Sequence, residues 1–411
     1  MKLPMMNKIY TCIIYSGLTL LMVFAPLARG ATTTRLWAIT LVMFVMFTVV
    51  FAGLLKNVSE NKKLKFNIPV LIFIGISVLS FVFSIYKHES FYALLRLLGY
   101  AGLYYVIVTN YSKKLMWYLV GVAICMGFVL SVYGLLQYSG VLSNDWWVPN
   151  NFLSASYVNH NHFAGYLEMV IPITLGLMVV SYAYPKRGLL LPTSFIGLGI
   201  MFVAFIFAQS RGAWISLAIS LLVMNIILVK RGFLRFYSVI ISVFFILGVF
   251  SCFYYSDGKI SQRLETMMST TQREASMATR FDIWQGTVKM IADKPSTGVG
   301  IGCYEWGFPK YRSKSLGKAL IRPRYAHNDY LHIASEVGVF GLVFMIWILV
   351  LFVARGIKHN GVILGCGIGM LSLSLHGLVD FNFHIPANMI LFVVLAGIVG
   401  GEALCLKKKT L

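Results

Sequence analysis

Charge is what this chain has least of. Only 12% of its 411 residues are charged, while 58% are hydrophobic. An ordinary soluble domain carries about 25% charged residues, so a soluble fold is excluded and a polytopic membrane protein is expected. Acidic residues are scarcer still, at 14 against 35 lysines and arginines, which leaves a net charge of +21. That excess does not form a continuous basic surface for a phosphate backbone to follow, so no nucleic-acid partner is expected. The six cysteines are scattered, and only Cys303 falls in a long polar stretch, so neither a disulfide framework nor a CxxC metal site is available. A DxD motif, a nucleophile elbow, a zinc signature and a phosphate loop are also missing from the sequence.

What remains is a series of apolar runs, about twelve, each near the length that crosses roughly 30 Å of hydrocarbon. They centre on residues 9–27, 36–55, 68–86, 91–109, 115–138, 163–183, 189–208, 213–229, 237–255, 333–354, 361–379 and 388–406. The expected architecture is all-α and polytopic: nine spans in residues 1–255, a large loop over 256–332, and three spans in 333–411. The first run follows Lys2 and Lys8 as a signal peptide would, but its length and the poor cleavage site in LARGATTTR favour a retained helix. Basic residues cluster in alternate connections, in KNVSENKKLK, SKK, PKR, KRGFLR, ARGIK and the terminal KKK. The connections around 140–162 and 376–388 carry none, although Arg29, Arg35 and Lys87 depart from the pattern. The charge rule thus puts both termini in the cytoplasm and the 256–332 loop outside. No internal repeat is present, which weakens an inverted-repeat transporter.

A basic outer loop runs against that rule and needs a use. Residues 280–292, RFDIWQGTVKMIA, bring Phe281, Trp284, Val288 and Ile291 to one helical face, suited to the membrane surface or to packing over the bundle. Pro295 stops this helix, and three glycines in STGVGIGCY allow close backbone approach and a hinge for a lid. Asn328 and Asp329 are placed to cap the helix that enters the next span.

Several polar residues on this face are candidates for chemistry. His327 is a solvated loop histidine or, with an ordinary pKa near ~6.5, a general base at neutral pH. Arg211 in QSRGAW touches lipid headgroups or binds an anion. Arg280 is a solvated face residue or a second anion contact. Arg96 in LLRLLGY lies about a turn and a half inside the outer membrane face, where it snorkels to the headgroups or meets an anionic partner. Glu168 is at a similar depth and is the expected counter-ion. His160 with Asn161, in NHNHFAGYLEM, are polar substrate contacts; His160 and His162 alone are too few ligands for a metal. His376, Asp380, Asn382, His384 and Asn388 form a polar cluster that must be satisfied or wet, with Asp380 orienting a base or pairing an arginine.

Arginines hold a diphosphate through fixed bidentate donors, and without a DxD motif they would stabilise leaving-group charge without metal or other cofactor. A lipid-linked diphosphate sugar fits a site at the membrane face, with a histidine deprotonating an acceptor hydroxyl that attacks the anomeric carbon in one inverting step.

The ordered set SRGAW at Arg211, TRFDIW at Arg280, DKPSTGVGIGCY, AHNDYL at His327 followed by EVGVFG, and the Asp380 segment resembles the O-antigen ligase and O-antigen polymerase superfamily, over roughly residues 150–390. The resemblance implies a GT-C-like, metal-independent glycosyltransferase of the bacterial inner membrane, working on its periplasmic side. Its donor would be an undecaprenyl-diphosphate-linked glycan, and its acceptor a glycan, lipid A-core or another glycolipid. By position, His327 would activate the acceptor, Arg211 and Arg280 would bind the diphosphate, and Asp380 would support the site, with Asn328 beside it. Arg96 comes from the residues alone. A ligase is expected slightly ahead of a polymerase, and protein glycosyltransferases share these motifs. A transporter or flippase of lipid-linked glycan would share the spans without needing His327.

Overall fold

The computed structural model describes residues 2–32, 36–62, 67–142, 152–183, 189–232, 270–313 and 322–409. They form an all-α polytopic membrane protein, with no strand among the described residues. Helices α1 (Lys2–Leu27), α2 (Leu36–Ser59), α3 (Ile68–Val82), α4 (Lys87–Thr109) and α5 (Lys113–Tyr138) are followed by α6 (His160–Ala183), α7 (Leu190–Phe207) and α8 (Arg211–Lys230). The loop region supplies α9 (Thr270–Asp293) and the short α10 (Tyr304–Gly307). The chain then returns through α11 (Asp329–Ile357), α12 (Gly361–His376) and α13 (Pro386–Lys409). Nine of these helices are long and apolar enough to span a bilayer, while α3 and α12, at 15 and 16 residues, are shorter. The expected span 237–255 and the first part of the large loop lie outside the described residues.

Apolar runs become helices here because a backbone in hydrocarbon must satisfy its own N–H and C=O groups. Serines at the joints satisfy the first donors: Ser112 accepts from Leu115 N–H, and Ser210 accepts from Ala213 N–H. α6 is the axis of the bundle, almost wholly buried, and packs most extensively on α12. The ends away from His327 are clipped by polar contacts, with Lys113 Nζ 2.7 Å from Glu402 and Asn57 Nδ2 donating to Thr109 at 3.1 Å.

The described part of the loop has a small core of its own, built from Ile283, Met290, Val299, Tyr304 and Phe308. This corrects the expected face of α9. Ile283, Thr287 and Met290 point inward, whereas Phe281 and Val288 are more than half exposed. The loop's own core and the adjoining α11 decide which stripe is buried, and an apolar strip is left facing out.

The loop is latched to the bundle by backbone atoms. Gly338 (φ 85°, ψ 173°) breaks α11 two turns after its start, freeing carbonyls that a continuous helix would consume. Val299 N–H donates to Ser335 O at 2.9 Å, Gly300 N–H to Glu336 O at 3.0 Å, and Val339 N–H to Pro295 O at 2.8 Å. The Glu336 carboxylate accepts from Gly302 and Tyr304 N–H, and Ser80 Oγ donates to Glu336 O. A Cβ at Gly298 would lie 2.2 Å from Glu336 O, so only glycine fits there. The GVGIG segment is thus fastened to the bundle as a latch.

Candidate active site

The polar residues gather where α6, α8, α11, α12 and α13 meet near the latch. Asn328 fixes the start of α11: its Oδ1 accepts from Tyr330 and Leu331 N–H, each at 3.0 Å, and its Nδ2 donates to Leu378 O. The expected cap is therefore present, and it takes the amide oxygen and one of the two Nδ2 hydrogens. Asn328 thereby positions the chain beside it.

His327, immediately before this cap, adopts a left-handed φ of 51°. Its Nδ1 lies 4.0 Å from Asp380 Oδ1, is buried, and has no hydrogen-bond partner. The imidazole edge rests on Phe381, with 4.9 Å between centroids. With Nδ1 turned toward the carboxylate, Nε2 is the outward nitrogen. Burial lowers the His327 pKa, the nearby Arg280 guanidinium lowers it further, and Asp380 offsets only part of this. His327 is thus neutral at neutral pH, the form a general base needs.

Asp380 is almost wholly buried and accepts from Phe381 N–H at 2.8 Å. Burial pushes its pKa up, but His162, His376, His327 and Arg280 together outweigh this, and the net shift is downward. His162 mirrors His327 across the carboxylate: its Nε2 is also 4.0 Å from Asp380 Oδ1, also buried and without a partner. Two imidazoles therefore converge on one carboxylate without closing a hydrogen bond to it.

Arg280 is half-buried in α9, and its charge acts on both His327 and Asp380. Arg211 opens α8 at the same end, next to Gly212, where a Cβ would come within 2.9 Å of the His376 ring. The structure thus brings His327, Asp380 and Arg280 together with Arg211 at their margin. Arg96 is elsewhere. It lines a cavity that also includes Tyr325, and Tyr325 stacks on Phe381 at 4.2 Å, so that stack stands between Arg96 and His327.

The expected pairing of Glu168 with Arg96 is not formed. Glu168 lies 3.0 Å from His376 Nδ1 and accepts from Ser372 Oγ at 3.1 Å, deep between α6 and α12. Comparable depth in two spans does not make two side chains face each other, and the α12 contact claims the carboxylate first. His160 and Asn161 are half-buried at the start of α6. His160 Nδ1 lies 2.6 Å from Ala208 O and its ring stacks on Phe152 at 4.4 Å, while Asn161 N–H is bonded to Asn159.

Three participants escaped the sequence reading: His162 as a neighbour of Asp380, the Glu168–His376 pair, and the Asp329–His384 pair. His384 Nδ1 donates to Asp329 Oδ1 at 2.7 Å, and Phe383 N–H donates to Asp329 Oδ2. The polar spacing of HGLVDFNFHIPAN signalled a network, but not its partners.

His332, Glu336 and His384 have ligand-type atoms close enough together for a metal ion. Their hydrogen bonds argue against that use. Ala326 N–H donates to His332 Nδ1, so Nε2 carries the proton and donates to Glu336, 3.2 Å away. Both Glu336 oxygens also take backbone N–H groups of the latch.

No curated protein matches this chain. Residues 196–346, from α7 into α11 and including Arg211, Arg280 and His327, match the family model Wzy_C, described as O-antigen ligase, a match that supports the O-antigen ligase and O-antigen polymerase superfamily for this part of the chain.

Proposed function

We propose that the protein is a membrane glycosyltransferase that moves a glycan from an undecaprenyl-diphosphate-linked donor to an acceptor hydroxyl on the periplasmic face, in the manner of an O-antigen ligase. The family match supports a ligase-like or polymerase-type enzyme of the O-antigen pathway. The observation that carries the rest is His327, neutral and backed by Asp380 at 4.0 Å, beside the guanidinium of Arg280.

In this reading His327 Nε2 takes the proton of the acceptor hydroxyl as its oxygen attacks the anomeric carbon. The bond from that carbon to the diphosphate oxygen breaks, and undecaprenyl diphosphate leaves with the electron pair. Arg280 and Arg211 hold the diphosphate and offset the charge that grows on it, which is where fixed donors contribute most to rate. Asp380 steadies the imidazolium through Nδ1. One displacement inverts the anomeric centre, and no step is assigned to a metal ion. His160 and Asn161 are assigned polar contacts with the glycan. The fastened loop holds Arg280 at the mouth of the bundle, on the side where the charge rule puts the cell exterior.

The test is a His327→Ala variant, expressed at parental level in a strain lacking this protein. Loss of surface glycan is expected, since a general base contributes about 10²–10⁴-fold to rate. Full restoration would remove the catalytic role and favour transport of lipid-linked glycan. Glycan in the null strain sorts the enzyme readings: polymer accumulating on its lipid carrier indicates a ligase, a single-repeat product a polymerase.

A further inference from the structure

On the far side of the Tyr325–Phe381 stack lies a cavity of about 490 Å³, enclosed by α3, α4, α11 and α13 and roofed by the latch. It is distinct from the His327 cluster, since His327, Asp380, Arg211 and Arg280 do not line it. Its upper part holds Arg96, Arg324, Tyr325 and His384. Its lower part runs into the bundle between Tyr104, Leu349, Phe352, Val393 and Ala396, and is apolar. A polar mouth above a hydrocarbon-lined shaft is the shape of an amphiphile. The volume is within the ~300–1,000 Å³ range of single-ligand pockets, enough for a headgroup and the first part of a lipid chain.

The charges at the mouth are not equivalent. Arg324 faces Glu305 at 3.6 Å, and Glu336 is committed to His332 and the latch. Glu89, in the first turn of α4, sits at the rim beside His88. Arg96 has no hydrogen bond or ion pair among the described residues, although it lies well inside a membrane helix. A guanidinium kept there without a protein counter-ion is costly unless a ligand supplies one. A phosphate at the top of a lipid chain does so, and fits the planar donors of arginine.

We propose that this cavity seats an isoprenoid phosphate, its phosphate on Arg96 and its chain in the Leu349–Phe352–Ala396 shaft. The choice of an isoprenoid over other single-chain anionic lipids rests on the glycosyltransferase reading; the seat itself does not. Donor and acceptor that both ride on isoprenoid carriers, as in a polymerase-type transfer, need separate anchorage, and the aromatic stack divides this end of the bundle into two cationic compartments.

The experiment is native mass spectrometry of the purified full-length protein in detergent, titrated with undecaprenyl phosphate and, separately, with phosphatidylglycerol. In an Arg211→Gln/Arg280→Gln background, which removes the diphosphate contacts of the proposed donor site, one undecaprenyl phosphate is expected to be retained, with Arg96→Gln weakening it about tenfold or more and Arg96→Lys less. Leu349→Trp, which fills the shaft, is expected to weaken it comparably, with a thermal melt confirming that each variant is folded. His327→Ala is expected to bind like the parent. Parental retention by both Arg96→Gln and Leu349→Trp would overturn the proposal, and equal competition by phosphatidylglycerol would overturn the isoprenoid assignment. Should the cavity variants lose the lipid while His327→Ala still restores surface glycan in cells, the seat stands and the glycosyltransferase reading falls.

Discussion

Two histidine–carboxylate arrangements sit at the same end of this bundle and are wired in opposite ways. His376 and Glu168 are in direct contact at 3.0 Å, fully enclosed between α6 and α12, with Ser372 also donating to the carboxylate. His327 and Asp380 stand 4.0 Å apart, with the imidazole partly exposed and its inner nitrogen unbonded. The first pair has closed its hydrogen bond and holds helices together. The second has kept its capacity in reserve, which is costly for a buried nitrogen and is the arrangement expected where a proton must move. A histidine near a carboxylate is thus not a site by virtue of proximity; the unspent bond distinguishes the two.

The comparison breaks most visibly at the enclosed pair. Glu168→Ala should cost about 3–5 kcal/mol of stability, since it leaves a buried polar partner uncompensated. A large fall in the thermal midpoint of the detergent-purified protein would show this, and an unchanged midpoint would refute the structural role. Its effect on transfer should follow the loss of folded protein.

At the open pair the readout is pH. The His327 pKa is lowered below its ordinary value, and the base must be neutral, so transfer should persist at neutral pH and fall only as pH drops through that lowered value. Asp380→Asn removes the charge that raises the pKa and should move the acid limb to lower pH. Arg280→Gln removes one that lowers it and should move the limb upward. Rate profiles of the purified variants measure both, and a shift of the same sign in each would sink the assignment.

The smallest effect should come from Asn328→Ala, a cap worth about 1 kcal/mol. It should lower the thermal midpoint slightly while reducing transfer more, because the cap also sets the backbone that aims His327. Loss of stability and activity in strict proportion would remove that positioning role.

The helices were legible because hydrocarbon leaves a long apolar run little other choice. Most described ends lie within a few residues of those expected, from 36–55 observed as Leu36–Ser59 to 388–406 observed as Pro386–Lys409, while the first helix starts earlier, at Lys2. The site was legible in part. The position of His327 at a helix start, and its company with Asp380 and Arg280, followed from ordered motifs. Glu168 was assigned the wrong partner because hydropathy gives depth in the membrane but not the angle a side chain takes about its helix. The buried face of α9 was missed for a related reason: periodicity shows that a stripe exists, and the partner surface decides which one turns inward.

The break at Gly338 has a further consequence for how such a loop can change over time. Its docking bonds run largely from backbone to backbone, from Val299, Gly300 and Val339 to carbonyls that the broken helix releases. The instruction to dock is therefore written in chain geometry more than in side-chain identity. A loop with altered outward-facing residues but the same glycine spacing could be exchanged onto this bundle and would still bring its arginine to the site.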